Sequence, residues 1–169
     1  MGGGRSSRRH FSPERLKELS QTAKEALSKA DEPQRRSVFI SFASEDLDEV
    51  NLLRGQAKNE KSGFDLIDRS LQEPFDSDRA EYIRQGIRQR INQSSVTLVY
   101  LSNATADSKW VDWEIRESVR LGKGVVGVYK GGAAPERLPT ALLEIKAKIV
   151  PWTHDRIANA IEEASHQRK

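Results

Sequence analysis

From Ser37 onward, short runs of β-branched and aromatic residues alternate with longer stretches in which apolar residues recur every three or four positions. The run S-V-T-L-V-Y-L at 95–101 is the clearest, because its composition is typical of a strand buried on both faces. Helical stretches separate the runs, which indicates crossover connections and a parallel sheet covered by helices on both faces. The predicted strands are 37–42, 64–68, 95–101, 124–129 and 148–152, and the predicted helices cover 50–57, 83–91, 108–118 and the stretch from Asp155.

Five strands in one such unit predict the flavodoxin-like order 2-1-3-4-5, an α/β three-layer sandwich, with an extra helix at the N-terminus. In that order a ligand crevice lies at the carboxyl ends of the first and third strands, where the winding of the sheet reverses. Those ends are F-A-S-E-D at 42–46 and L-S-N at 101–103. The loop that follows Asn103 leads directly into the helix at 108–118, so this helix is expected beside the crevice.

The helix S-K-W-V-D-W-E-I-R-E-S combines a candidate cap, Ser108, with an apolar stripe of Val111 and Ile115. Trp110 and Glu114 are four residues apart, so they lie on the same side of the helix. One interpretation is a partly exposed helix carboxylate paired with Lys109, Arg116 or Arg120, an ion pair that contributes little to stability. The other is a functional carboxylate at the crevice, and the helical pattern alone leaves both open.

The N-terminal part of the chain differs from the rest in composition. Residues 1–11 are rich in Gly, Ser and Arg and are predicted to be a disordered leader, whereas 12–34 form an amphipathic helix and a linker before a domain at 35–169. The start matches the myristoylation pattern M-G-x-x-x-S, for which a flexible tail or a cloning remnant is the other interpretation. Residues 1–36 hold nine basic and five acidic side chains, a net charge of +4, which leaves the other residues with a net charge of −1 within the formal total of +3. The near-neutral remainder argues against nucleic acid as a ligand.

Several common sites are excluded by the sequence. The chain has no cysteine, which removes disulfides, thiolate metal sites and cysteine nucleophiles and favours a cytoplasmic location. No stretch is long and apolar enough for a membrane span. Gly122, Gly124 and Gly127 satisfy G-x-G-x-x-G, but they follow a helix and lead into a strand, the reverse of a pyrophosphate-binding turn. The three histidines have no metal-ligand spacing.

Four stretches of the sequence stand out together: V-F-I-S-F, R-S-L-Q-E-P-F-D-S, Y-I-R-Q-G-I-R-Q-R-I and S-K-W-V-D-W-E-I-R-E-S-V-R-L-G-K-G-V-V-G-V. Together they resemble a TIR (Toll/interleukin-1 receptor) domain. The resemblance is stronger to the bacterial and archaeal TIR-like group that includes the NAD-consuming subunit of Thoeris anti-phage defence. It covers roughly residues 36–152, and the leader and its helix lie outside it. A departure is visible at 71–77, where many eukaryotic TIR domains have a shorter loop.

The resemblance implies an enzyme that cleaves the nicotinamide–ribose bond of NAD+, with NAD+ as substrate, no cofactor and no metal. It implies a catalytic glutamate on the third helix of the sheet domain, which is Glu114 here. Some family members transfer the ADP-ribosyl group and make cyclic or conjugated signals, which a separate effector protein senses. By position, Arg69 or Lys109 is the candidate for the diphosphate. The predicted substrate-binding residues are Phe42, Ala43, Ser44, Asp68, Arg69, Ser70, Ser102, Asn103, Lys109 and Trp110.

An alternative from a different class is an interaction module, because many TIR domains act as adaptors without catalysis. Its partner surfaces would be TIR–TIR contacts, the helix at 12–30 or the loop around Pro74 and Phe75. Self-association through these surfaces is expected under both hypotheses. Neither hypothesis includes nucleic acid or a membrane as partner.

Overall fold

The computed structural model describes residues 12–30, 35–58, 62–67 and 74–167. The chain divides into two units, 1–34 and 35–169, which are treated separately. In the first unit, α1 runs from Pro13 to Ala30, and Ser12 caps it by accepting a hydrogen bond from the Arg15 amide at 3.4 Å. The predicted disordered leader at 1–11 and the linker at 31–34 lie outside the described residues. Within the described ranges, no helix has the length and apolar composition needed to cross a membrane.

The second unit is a five-stranded parallel sheet in the order β2-β1-β3-β4-β5, which confirms the predicted flavodoxin-like topology. Its central strand is the one predicted from S-V-T-L-V-Y-L, and all six of its residues are buried. The strands are β1 Arg36–Ser41, β2 Phe64–Ile67, β3 Val96–Leu101, β4 Gly124–Tyr129 and β5 Lys148–Pro151. The helices are α2 Leu47–Ala57, α3 Ala80–Gln93, α4 Lys109–Arg120, α5 Thr140–Glu144 and α6 His154–His166.

Alternation along β1 assigns its side chains to two separate cores, because successive residues of a strand point to opposite faces. Val38 and Ile40 pack with α2 and α6 on one face of the sheet. Phe39 packs with α3 and with Trp110 of α4 on the other face. Ser41 belongs to this second face by the same alternation, so the last residue of β1 directs a hydroxyl toward the side of the sheet that α4 covers.

The sequence analysis missed α5, which has only five residues and begins directly after Pro139. It also missed two single turns of 3-10 helix, at Ser44–Asp46 and Thr105–Asp107, each of which follows a strand at the carboxyl edge of the sheet.

The glycines of the G-x-G-x-x-G pattern serve to end a helix and begin a strand. Gly122 directly follows the C-cap of α4 and has a φ of 70°, a conformation that favours glycine. Gly124 begins β4, and a Cβ atom there would lie 2.3 Å from the Ala164 carbonyl oxygen of α6. The close packing of α6 against β4 therefore requires glycine at position 124.

Candidate functional site

Glu114 is the carboxylate that the fold places deepest beside the carboxyl end of β1. Ser108 caps α4 by accepting a hydrogen bond from the Val111 amide at 3.3 Å, so the helix begins at Lys109. Glu114 then lies on the inner side of α4, and 0% of its surface is exposed to solvent. The Ser41 hydroxyl donates a hydrogen bond to Glu114 Oε2. Two residues 73 positions apart in the chain are thus joined where β1 ends.

The interpretation of Glu114 as a partly exposed carboxylate is wrong. Its side chain is buried, and the three cations proposed as its surface partners bind other carboxylates. Arg116 pairs with Asp112 at 2.8 Å and with Glu144 at 2.7 Å, and Lys109 pairs with Asp76 at 3.0 Å. Arg120 pairs with Glu117.

Trp110 lies one helical turn before Glu114 and is also buried, with 8% of its surface exposed. Its ring meets Phe75 edge to face at a centroid distance of 4.9 Å and Trp113 at 5.9 Å. The same core contains Phe39 of β1 and the apolar side of α3. The first turn of α4 is therefore held by aromatic packing on the same side as the buried carboxylate.

A polar network joins the carboxyl ends of β1 and β3, the position at which the strand order reverses. The Ser102 hydroxyl donates to Asp46 Oδ2 at 2.6 Å, and the Ser102 amide donates to Thr105 Oγ1 at 2.8 Å. The Thr105 hydroxyl in turn donates to the Tyr100 carbonyl oxygen at 3.0 Å. Burial raises the pKa of the Asp46 carboxyl, and the hydrogen bond from Ser102 opposes that shift.

The remaining predicted substrate-binding residues occupy different positions. Phe42 and Ala43 are buried, and the Phe42 ring packs in the core beneath α2 and α6, on the face opposite Glu114. Ser44, Asn103 and Lys109 are exposed. Asp68, Arg69 and Ser70 lie outside the described residues. Among the residues that the structure describes, no group of three or more His, Asp or Glu side chains could hold a metal ion.

A second buried carboxylate lies on α4 three residues after the first. Glu117 is 6% exposed and accepts hydrogen bonds from Arg88 of α3 at 2.9 Å and from Arg120 Nε at 3.1 Å. The hydrogen bonds from Arg120 and then Arg88 lower the pKa of the Glu117 carboxyl, while burial opposes them. This carboxylate is surrounded by guanidinium groups, as expected of a structural ion pair.

Sequence reasoning missed Ser41 as the partner of Glu114 and Arg88 as the partner of Glu117. Each partner is far from its glutamate in the chain, so helical spacing carries no signal of either contact. Ser41 did have a signal in the sequence, because it is a polar residue within the otherwise apolar run V-F-I-S-F, and the structure buries it completely. Such a hydroxyl must find a hydrogen-bond partner inside the protein.

Comparison with known proteins identifies a family and one curated relative. The family described as "Thoeris protein ThsB, TIR-like domain" matches residues 39–135, more than half of the chain. A Bacillus cereus (strain MSX-D12) protein named "Putative cyclic ADP-D-ribose synthase ThsB1" is 29% identical over 98 residues. The match covers 56% of this chain and 51% of the relative, so it spans about half of that protein's length.

Comparison with solved structures finds two similar chains at low sequence identity. A 2-deoxyribosyltransferase from Bacillus psychrosaccharolyticus has a TM-score of 0.50 and 16% identity, covering 73% of this chain and 90% of that one. The TIR domain of the Toll-related receptor TRR-2 from Hydra magnipapillata has a TM-score of 0.48 and 17% identity, covering 75% and 91%. The similarity to the 2-deoxyribosyltransferase concerns the α/β fold alone.

Proposed function

The chain belongs to the TIR-like domain family of the Thoeris protein ThsB, and on that premise we propose that it consumes NAD+ by cleaving the nicotinamide–ribose bond. The name of the Bacillus cereus relative, "Putative cyclic ADP-D-ribose synthase ThsB1", supports a reaction in which the ADP-ribosyl group passes to an acceptor. The product is an ADP-ribose-type signal, cyclic or conjugated, that a separate effector senses during phage infection.

One observation carries this proposal: the Glu114 carboxylate is buried on α4 and hydrogen-bonded by Ser41 at the carboxyl end of β1. In open parallel sheets, ligands bind outside the carboxyl ends of the strands where the strand order reverses. Here that reversal lies between β1 and β3, whose ends the Ser102–Asp46 hydrogen bond joins. The burial of Glu114 and its place beside this edge support its assignment as the catalytic carboxylate.

The proposed chemistry needs one negative charge. When the C–N bond breaks, both of its electrons leave with nicotinamide, which departs as a neutral molecule, and positive charge develops on the ribose. The Glu114 carboxylate stabilises that oxocarbenium-like state, and the apolar surroundings that include Trp110 strengthen the attraction. Water or another nucleophilic acceptor then forms a bond to the ribose carbon and loses a proton, which completes the transfer.

Burial of Glu114 has a consequence for substrate binding. Since the side chain is 0% exposed, a ribose contacts the carboxylate only after neighbouring groups at the carboxyl edge have moved. The Ser41 hydroxyl keeps the carboxylate hydrogen-bonded in the meantime. We therefore expect slow turnover by the isolated chain and faster turnover in any state that opens this edge.

The test is to incubate the full chain with NAD+ and to quantify released nicotinamide by chromatography. We expect release by the wild type and a loss of about 100-fold or more in Glu114→Gln, which keeps the shape of the side chain but removes its charge. Glu163→Gln, an exposed change on α6, is the control and is expected to match the wild type. An active wild type whose Glu114→Gln variant kept its full rate would disprove the assignment.

Assembly is the second candidate function, and the exposed apolar side of α1 favours it. Leu16, Leu19 and Leu27 lie on one side of this helix and are 54%, 49% and 68% exposed. We propose that this side binds a second copy of the chain. Light scattering would then show a larger species for the wild type, and replacing the three leucines with glutamine would give a monomer. A wild type that is monomeric at every concentration would contradict this.

A further inference from the structure

We propose that Arg84 of α3 is a positioning residue for the reaction at Glu114, acting through Phe75 and Trp110. The inference rests on the proposed function, because it assigns a role in that reaction. Arg84 does not touch the carboxyl edge of the sheet in the contacts that the structure describes. Its effect on Glu114 passes instead through the aromatic side chains that hold the first turn of α4.

A single guanidinium group lies against three aromatic rings. The Arg84 Cζ atom is 4.4 Å from the centroid of the Phe75 ring, 5.7 Å from that of Trp110 and 5.9 Å from that of Trp113. All three distances are within the range of cation–π attraction, and the Arg84 side chain is only 21% exposed. Partial removal from water strengthens such contacts.

A hydrogen bond and an ion pair complete the environment of Arg84. One of its terminal nitrogens donates to the Phe75 carbonyl oxygen at 3.2 Å, which fixes the backbone of the segment that precedes α3. The other lies 3.6 Å from Glu81 Oε2, a carboxylate that is 62% exposed and therefore contributes little. The rings and the carbonyl oxygen thus determine the orientation of the guanidinium plane. Lysine, with a point charge and no planar face, cannot make the same set of contacts.

The contacts continue from Phe75 into the helix that carries Glu114. Phe75 meets Trp110 edge to face at 4.9 Å, and Trp110 is buried one helical turn before Glu114 on the same side of α4. Arg84 and Phe75 therefore hold the segment before α3 against the first turn of α4, and these two residues are called the clamp below. Since α4 is a continuous helix from Lys109, rotation of its first turn also turns the Glu114 carboxylate.

Loss of this clamp has a specific kinetic consequence. A carboxylate that stabilises charge in a transition state must be held accurately, and small displacements reduce the rate of the chemical step strongly. Arg84 makes no described contact with the predicted substrate-binding residues other than Trp110, so its loss should change kcat more than KM. Phe75 belongs to the same clamp, so removal of either member should remove the same effect.

The experiment is a double-mutant cycle on nicotinamide release by the full chain, with Arg84→Met, Phe75→Leu and the double variant. We expect each single change to lower kcat about tenfold with KM for NAD+ within about twofold of the wild type. The double variant should lose no more than the larger single change, because both variants break one contact. Arg36→Met is the matched control, since Arg36 is similarly shielded at 28% exposure but pairs with Glu162 of α6.

A second readout does not depend on turnover. Fluorine NMR of protein labelled with 5-fluorotryptophan gives one signal for each of the three tryptophans. Arg84→Met should shift the signals of Trp110 and Trp113 and leave that of Trp152, which packs against Tyr100, unchanged. This pattern separates local loss of the clamp from general unfolding, which would move all three.

The outcomes separate the two proposals. An active wild type whose Arg84→Met variant keeps its kcat, or whose two single effects multiply in the double variant, overturns the role of Arg84 and leaves Glu114 in place. A wild type that releases no nicotinamide under any condition overturns the proposed function, and the positioning role falls with it. A common loss of kcat with unchanged KM, together with the two shifted tryptophan signals, supports both.

Discussion

The two buried glutamates of α4 stand three residues apart and have different surroundings. Glu117 faces α3 and accepts hydrogen bonds from two guanidinium groups, those of Arg88 and Arg120. Glu114 faces the sheet and accepts a hydrogen bond from the Ser41 hydroxyl at the carboxyl end of β1. Both carboxylates are almost completely removed from solvent, so burial alone does not distinguish them.

Position and partner together distinguish a structural carboxylate from a candidate catalytic one. Two arginines neutralise Glu117, and one of them, Arg88, joins α4 to α3, which serves the stability of the fold. A serine hydroxyl orients a carboxylate without neutralising its charge, and the fold places this hydroxyl where parallel sheets bind ligands. The contrast therefore predicts that Glu117 contributes mainly to stability and Glu114 mainly to activity.

The largest expected effect separates these two contributions. Glu114→Gln should lower the rate of nicotinamide release about 100-fold or more. The rate of nicotinamide release by folded Glu117→Gln should stay within about threefold of the wild-type rate. Glu117→Gln should instead lower the free energy of unfolding by about 2 kcal/mol, because it leaves charged hydrogen-bond donors without their partner. Urea unfolding and the nicotinamide assay on the same preparations measure both. Equal losses of activity in the two variants would remove the distinction.

The next effect tests the hydroxyl that orients Glu114. Ser41→Ala should lower kcat about tenfold, since the carboxylate loses the donor that fixes its orientation. Ser118→Ala is a matched control, because Ser118 is also fully buried but donates to the backbone carbonyl oxygen of Glu114 at 2.7 Å. Its activity should change less than about twofold, although it too removes a hydrogen bond worth about 1 kcal/mol. If Ser118→Ala reduces kcat as much as Ser41→Ala does, the orienting role assigned to the Ser41 hydroxyl is wrong.

Much of the fold could be predicted from the sequence. The strands β3 and β4 are dense in β-branched and aromatic residues, and the structure places them within one residue of their predicted bounds. The helix α5 could not be predicted, because Thr140–Glu144 is too short to show helical periodicity. Packing of Ala141 and Leu142 against β3 and α4 stabilises it, and that contact is not visible in the local sequence.

Less of the candidate site could be predicted. Helical spacing placed Trp110 and Glu114 on one side of α4 but did not say whether that side faces the sheet or the solvent. The hydrogen bond from Ser41 and the clamp of Arg84 depend on side chains from other elements. Such contacts arise only when the sheet and its helices are assembled, so they require coordinates.

A smaller effect concerns the pH dependence of stability. The Arg120 and Arg88 hydrogen bonds hold the pKa of Glu117 below its ordinary value of 4.5. This carboxylate therefore stabilises the fold above about pH 4.5, and its contribution disappears as the pH falls through its lowered pKa. The wild type should exceed Glu117→Gln in unfolding free energy at pH 7, and the difference should shrink as the pH falls below 4.5. Urea unfolding at pH 7, 5, 4 and 3 checks this, and a constant difference at every pH would contradict it.

The smallest expected effect tests the predicted diphosphate contact. Lys109 and Asp76 are 68% and 75% exposed, so their ion pair should add nothing measurable to the melting temperature. If Lys109 also meets the substrate, Lys109→Met should raise KM for NAD+ about threefold with kcat unchanged. Lys146→Met, on an exposed turn after α5, is the control. An unchanged KM would remove Lys109 from the predicted substrate-binding residues.

The most direct test of the central claim is a crystal structure of the Glu114→Gln variant with NAD+ bound. We expect NAD+ to occupy the carboxyl edge between β1 and β3. The side chain at position 114 should then lie within hydrogen-bond distance, about 3 Å, of a hydroxyl of the nicotinamide ribose. NAD+ bound in any other place, with the side chain at position 114 still buried against Ser41, would contradict the account.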